Sequence, residues 1–378
     1  MRHQCKLKLL GDKKMNFSIN KNEFMQAIQE VQRVTYGKVG LTTLQGILIK
    51  AEKHSLVLTG GDKNLCVETK VPAKVFEEGS IVVESKLLGD LIKKLPNELI
   101  EISTINDKHI KIECDENIVT LVYQEGDNFP VLPSIEEDAK VSIPQQILKN
   151  MIKGTIMATD QNSLRPIYSG VLFDFKMDSL NVVALDSSRA AICNYINGNT
   201  NTVSAVIPAR TLGEVAKIIE WEDSEVKITF TSNHVLFTVG KTRIISTLLD
   251  GDFGKYESFI PKEYTLEIIV NKEKLIGHLE RASVIGREGN FSAVTLHIQD
   301  DNISITSNSQ IGTITGDLKV ISKGMPMVIK FNSKYLIEAL NVLEDDEVIV
   351  KFTTNQSVFV VANKNNTNLM HIIAPMRM

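Results

Sequence analysis

The chain is poor in the residues that mark metal centres, redox proteins and disulfide scaffolds. Its 378 residues include four cysteines, Cys5, Cys66, Cys114 and Cys193, none at CxxC spacing. That argues against a zinc site and for reduced thiols in a cytoplasmic compartment. The seven histidines, at positions 3, 54, 109, 234, 278, 297 and 371, show no HxxxH or HExxH pairing, so core and surface roles fit them better than metal ligation. Walker and Rossmann glycine patterns are missing. Gly60-Gly61-Asp62-Lys63 lacks the Gly-Lys-Ser/Thr ending of a phosphate cradle and reads as a hairpin turn. No apolar run approaches the roughly 20 residues of a membrane span. The net charge of -4 provides no global basic footprint for nucleic acid and no attraction to a membrane surface, so any polyanion must be met locally. The acidic runs Glu136-Glu137-Asp138 and Glu344-Asp345-Asp346-Glu347 fall at a domain linker and at a helix-to-strand turn, where solvated acid is commoner than a magnesium site. No catalytic constellation, metal set or cofactor motif emerges, and a noncatalytic protein without a cofactor is expected.

Repetition is what the chain does have. VVESKLLGDLIKKL from Val82, VIPARTLGEVAKII from Val206 and IKFNSKYLIEALNVL from Ile329 share one pattern. Lys86, Arg210 and Lys334 occupy one position of it, Leu88, Leu212 and Leu336 a second, and Leu95, Ile219 and Leu343 a third, always 124 residues apart. Solenoid and propeller units run at roughly 20 to 50 residues, so this period means three copies of a whole domain. Boundaries are expected at 15–139, 140–262 and 263–378. Residues 1–14 precede the first copy and are expected to be a disordered extension, an extended start or an expression remnant, because Met15 opens the repeat directly.

Each copy opens with a short strand and an amphipathic helix. Phe24, Ala27, Ile28 and Val31 follow the i, i+3, i+4, i+7 rule, as do Leu148, Met151, Ile152 and Thr155, and, with a three-residue slip, Leu275, His278, Leu279 and Ala282. A second helix per copy repeats the device, with helices predicted over 21–33, 86–95, 145–155, 210–220, 272–282 and 334–343. Period-two segments such as SLVLTG, IKIEC, NVVALD, EVKITF and EVIVKF lie between them and predict antiparallel strands. The fold class is therefore α+β, with two helices covering one face of an antiparallel sheet in each of three tandem domains. The six predicted helices sum to +5, leaving -9 elsewhere. Lysine and arginine are good helix formers on solvated faces, but recurrence at Lys86/Arg210/Lys334 and Lys93/Lys217, with Lys149 and Lys153 on the third helix, points to a common cationic surface.

The terminal run HIIAPMRM (371–378), with LLDGDF (248–253), FNSKYLIEAL (331–340), VVALDSSRAA (182–191) and the three-copy layout, resembles the bacterial DNA polymerase III beta subunit, the sliding clamp, over residues 15–378. The resemblance implies a head-to-tail homodimer closing as a ring around duplex DNA and tethering polymerase, clamp loader and repair proteins through short linear peptides. Helix dimensions agree with two chains. Six helices about 10 Å wide leave a hole of about 9 Å and twelve leave about 28 Å, while a duplex is roughly 20 Å across with grooves about 8 Å deep. Topology holds such a ring in place, so weak phosphate contacts that read no bases suffice.

Carried over position by position, the resemblance implies DNA contacts at Lys38, Gln161 and Asn162 besides the helix cations, and dimer contacts at Val119 and Leu121 on one side and Val284 and Ile285 on the other. It implies a partner-peptide groove lined by Tyr168, Leu185, Arg189, Ala190, Gly254, Phe259, Phe291, Asn332, Tyr335 and Ser357, closed by Ile372, Ile373, Ala374, Pro375, Met376, Arg377 and Met378. Several of these depart from the family pattern. Tyr168 replaces a usual leucine, Phe253-Gly254 a usual Phe-Pro, Ser258 a usual arginine, and Leu185-Asp186-Ser187-Ser188-Arg189-Ala190 a usual Thr-Asp-Gly/Ser-His/Tyr-Arg-Leu. A clamp with altered peptide preference is expected. The alternative is a clamp-fold interaction protein that no longer tethers a polymerase.

Overall fold

The computed structural model describes residues 15–35, 45–129, 139–196, 198, 202–220, 224–288 and 291–377, with only the backbone of 128, 287, 288 and 291. The expectations for residues 1–14, Lys38, the acidic run 136–138, Met378 and the Phe291 side chain lie outside this description. Six α-helices occur among the described residues: α1 (Lys21–Gln32), α2 (Ser85–Lys94), α3 (Gln145–Thr155), α4 (Ala209–Ile218), α5 (Lys272–Ile285) and α6 (Ser333–Leu340).

Their inward faces follow the apolar spacing. Phe24, Ala27, Ile28 and Val31 of α1 are all buried, as are Leu148, Met151, Ile152 and Thr155 of α3. His278 departs from this pattern and is only half-buried, because an imidazole loses hydration where a leucine would gain by burial. Helix α5 runs three residues beyond the predicted end. Helix α6 stops at Leu340, where the Asn341 amide turns back to the carbonyls of Ala339 and Ile337. Side chains cap four of the helices: Asn20, Glu84, Asn271 and Asn332 each accept from an amide of the first turn. Helices α3 and α4 instead follow Pro144 and Pro208 and have no side-chain cap.

The sheets do not respect the copies. Two compact units form, one from residues up to Ser142 with Glu225–Thr247, the other from Ile143–Ser224 with Leu248 onward. In the first unit a nine-stranded antiparallel sheet contains, side by side, the strands Gly46–Glu52, Ser55–Gly61, Leu65–Pro72, Thr242–Thr247 and His234–Val239. The second unit has a nine-stranded counterpart containing Gly170–Lys176, Ser179–Leu185, Arg189–Ile196, Leu369–Ile373 and Phe359–Asn363. One sheet per copy was the expectation. Instead the middle copy gives half its strands to each neighbour, because the last strand of a three-strand run exposes a ladder of N–H and C=O groups that only another strand satisfies.

Each unit also holds a smaller sheet. In the first, Asn117–Val122 forms one edge of a five-stranded sheet. In the second, Gly312–Lys319 pairs on one side with Asn302–Ser309 and edges its sheet. The Gly60–Lys63 phrase is the expected hairpin turn: the Asp62 carboxylate accepts from the amides of Asn64 and Leu65 at 2.9 and 3.0 Å.

Candidate partner groove and nucleic-acid interface

An apolar cluster in the second unit gathers several of the residues expected to line a groove. Leu172, Val183, Leu185, Ala190 and Ile192 come from three adjacent strands, Val360 and Ile372 from the next two, and Tyr168 packs against them. Of the residues that the resemblance implies for a groove, Tyr168, Leu185, Ala190 and Ile372 lie here, with Phe253, whose ring meets Tyr168 edge-on at 5.8 Å. The resemblance does not point to Tyr256. Phe253 also repeats Phe129 at the 124-residue period. Tyr256 is held by polar bonds, donating to Asp174 at 2.8 Å and accepting from Asn181 at 3.0 Å. Burial pushes its phenol up to about 12, so it remains a neutral donor.

Around this cluster the other predicted residues take different places. Gly254 has φ +81°, a left-handed conformation that suits glycine, and Phe259 stands exposed on the turn Tyr256–Phe259. Ser357 bonds Thr354 at 2.7 Å in the turn before Phe359, next to Val358, which packs on the cluster. The C-terminal segment is pinned by its backbone: the Ala374 amide donates to Ser188 at 2.8 Å and the Met376 amide to Lys330 at 2.7 Å. Ile373 is buried, Pro375 half-buried and Arg377 exposed.

Tyr335 packs against the neighbouring core and meets Arg189, while Asn332 accepts from the Ser292 and Lys334 amides. Asn332 caps α6, and the Tyr335 ring lies 4.5 Å beneath the Arg189 guanidinium. That guanidinium also bonds Asp186 at 3.0 Å, Glu338 and the Met157 carbonyl. Arg189 is thus engaged on every side within the fold. Beside it on the next strand, His371 is buried, with no partner for Nε2 among the described residues. Burial, reinforced by Arg189, pushes its pKa down to about 3. An unfolded imidazole takes up a proton below about 6.5 while the folded one does not, so stability falls as pH drops from there toward 3. At pH 5 the expected loss is about 2 kcal/mol. Urea midpoints of the parent and His371→Gln at pH 7, 6 and 5 should diverge accordingly, and parallel curves would refute the assignment.

Helix positions organise the cations. Lys86, Arg210 and Lys334 each take the second position of α2, α4 and α6, and all three are exposed, while the first position of each helix, Ser85, Ala209 and Ser333, is buried. Lys93 and Lys153 are exposed, and Lys217 pairs with Glu214 at 2.8 Å. Lys149 is tied into the fold. Its Nζ donates to the Ile219 carbonyl at 2.6 Å, and burial together with Lys153 lowers its pKa. Gln161 and Asn162 lie exposed in the loop after α3, where Gln161 donates to Thr159 at 3.1 Å. Val119 and Leu121 are half-buried on the edge strand, between Ile118 and Val122, which are 65% and 66% exposed. Val284 and Ile285 form the last turn of α5, the first exposed and the second half-buried.

Sequence profiles of the DNA polymerase III beta subunit match in three consecutive stretches: the N-terminal domain over 15–133, the central domain over 142–255 and the C-terminal domain over 257–377. The chain belongs to the DNA polymerase III beta subunit family, the bacterial sliding clamps. The "Beta sliding clamp" of Staphylococcus aureus is 29% identical over 374 residues, spanning 96% of this chain and 99% of that one. The crystal structure of the DNA polymerase sliding clamp from Bacillus subtilis matches with a TM-score of 0.93 at 30% identity, over 96% of this chain and 99% of that chain. A DnaN sliding clamp from Pseudomonas aeruginosa, solved bound to griselimycin, matches with a TM-score of 0.92 at 25% identity, over 96% and 100%. As a beta subunit, this clamp falls among the accessory subunits of a polymerase. None of its described helices is long and apolar enough to cross a membrane.

Proposed function

We propose that this clamp is a noncatalytic, cytoplasmic processivity factor. Two copies close head to tail around duplex DNA and hold polymerase, clamp loader and repair proteins by short linear peptides, with domains at 15–139, 140–262 and 263–378. The observation that carries the reading is the threefold recurrence of an exposed cation at the second residue of equivalent helices, Lys86, Arg210 and Lys334. Six such cations in a closed pair attract phosphates without base readout, which permits sliding. Two open edge strands, Asn117–Val122 with Val119 and Leu121, and Gly312–Lys319, support closure by strand addition, and α5, which ends in Val284 and Ile285, packs against the second. The cluster around Tyr168 and Ile372, with few polar anchors, supports peptide docking.

A second reading, a clamp-fold interaction protein without polymerase tethering, is favoured by Tyr168, whose ring stands against Phe253 where the family pattern has a smaller leucine. Loading onto nicked circular DNA followed by gel filtration separates the two. The ring reading expects co-elution that disappears when the circle is linearised. Retention that survives linearisation, or none on either form, overturns it and leaves the second reading.

A further inference from the structure

A cavity of about 1230 Å³ lies in the first unit, against the nine-stranded sheet. It occupies the position in register that the Tyr168 cluster occupies in the second unit. There, Leu172 stands opposite Val183, and Val183 opposite Ile192. Here, 124 residues earlier, Leu48 stands opposite Thr59, and Thr59 opposite Glu68, with Phe129 lining the cavity as Phe253 does the cluster. Two residues along, the second unit has the row Asp174, Asn181, Asn194, closed over by Tyr256, whereas the first has Lys50, Val57, Lys70. An acid-and-amide row has become a cationic one around an aliphatic centre. Lys241 and Arg243 add to it from the chain segment alongside.

The charges are not all neutralised. Lys50 pairs with Glu52 at 2.7 Å and Arg243 with Glu68 at 3.2 Å, but Lys70 and Lys241 are exposed and make no ion pair with a described residue. Glu52, Glu68 and Asp127 line the cavity as well, so Lys50, Lys70, Lys241 and Arg243 leave it with a small cationic excess, and an occupant with carboxylates for Lys70 and Lys241 and an aliphatic side chain for Leu48 and Val57, both half-buried, would complement it. We propose that the first unit carries a second docking groove, which takes an acidic linear peptide with one or two aliphatic side chains. The proposal rests on reading the Tyr168 cluster as a peptide groove. Specificity between the two would follow from charge, since like charges opposed across a groove exclude the wrong partner.

Fluorescence polarisation on the full-length protein tests it with the labelled peptide EDIEDVE, its amide counterpart QNIQNVQ and a standard clamp-binding peptide. We expect EDIEDVE to bind at least 10-fold more tightly than QNIQNVQ, to lose at least 10-fold in Lys70→Gln/Lys241→Gln, and to be unchanged in Tyr168→Ala. The standard peptide should respond only to Tyr168→Ala, which tests the first groove separately. The proposal is overturned if EDIEDVE fails to bind, if its binding ignores the double substitution, or if it is lost in Tyr168→Ala. It is also overturned if millimolar inorganic phosphate displaces it completely, which would mark a phosphate site.

Discussion

Replacing Leu121 by aspartate is expected to convert the protein into a folded monomer that is no longer retained on circular DNA. Leu121 sits half-buried on the edge strand Asn117–Val122, in register with Ile110 of the inner strand. In the proposed dimer that edge is covered by a strand of the partner, and a carboxylate introduced there is desolvated without a counter-charge. Such a burial costs about 3 kcal/mol. A head-to-tail pair that closes has two identical interfaces, so one substitution acts twice. The summed cost of about 6 kcal/mol weakens dimerisation by roughly 10⁴-fold. Sedimentation velocity at micromolar protein should show half the parental mass with unchanged far-UV circular dichroism. A dimer as tight as the parent would remove this edge from the interface.

The second large effect concerns Arg189. Its side chain is 11% exposed and joins four groups from three elements: the Asp186 turn, the Met157 carbonyl, and Glu338 and the Tyr335 ring of α6. Alanine at this position leaves Asp186, which is 13% exposed, without its cation, and removes packing from Tyr335. Glu338 is partly exposed and keeps Lys334 at 3.9 Å, which lessens the penalty. We expect a loss of about 3 kcal/mol, the low end for a broken buried ion pair. For a unit of this size that lowers the unfolding midpoint by roughly 10 °C. Arg189→Lys should recover only part of it, because an ammonium cannot bridge Asp186, Glu338 and a carbonyl in one plane. Calorimetry showing Arg189→Ala within 1 °C of the parent would sink this account. The Ala374 amide, bonded to Ser188 beside Arg189, should lose hydrogen-exchange protection in the same variant.

Much of the helix layer is legible in the sequence because amphipathic spacing is a local property. Leu148, Met151 and Ile152 are inward for the same reason that they recur at helical intervals. The apolar cluster is legible in part. Tyr168, Leu185 and Ile372 lie in one cluster with Phe253, while Tyr256 and Val360 stay hidden since nothing in a linear chain says which strand lies next to Arg189–Ile196. Arg189 itself is expected at the groove, but its ties to Met157 and Glu338 depend on residues 32 and 149 positions away. The tie of Lys149 to Ile219, 70 residues on, cannot be read from its exposed-looking place in a helix either.

By itself the sequence determined the number of copies, the inward face of each helix and the recurrence of Lys86, Arg210 and Lys334, because periodicity is written along the chain. Tertiary structure alone decided that Leu65–Pro72 pairs with Thr242–Thr247 and Arg189–Ile196 with Leu369–Ile373, dividing the middle copy between two sheets. Strand ladders are made by backbone groups that every residue but proline shares, so the partner of an edge is chosen by the packing around it. That choice built two register-equivalent surfaces from different strands, and left one apolar around Tyr168 and the other cationic around Lys70.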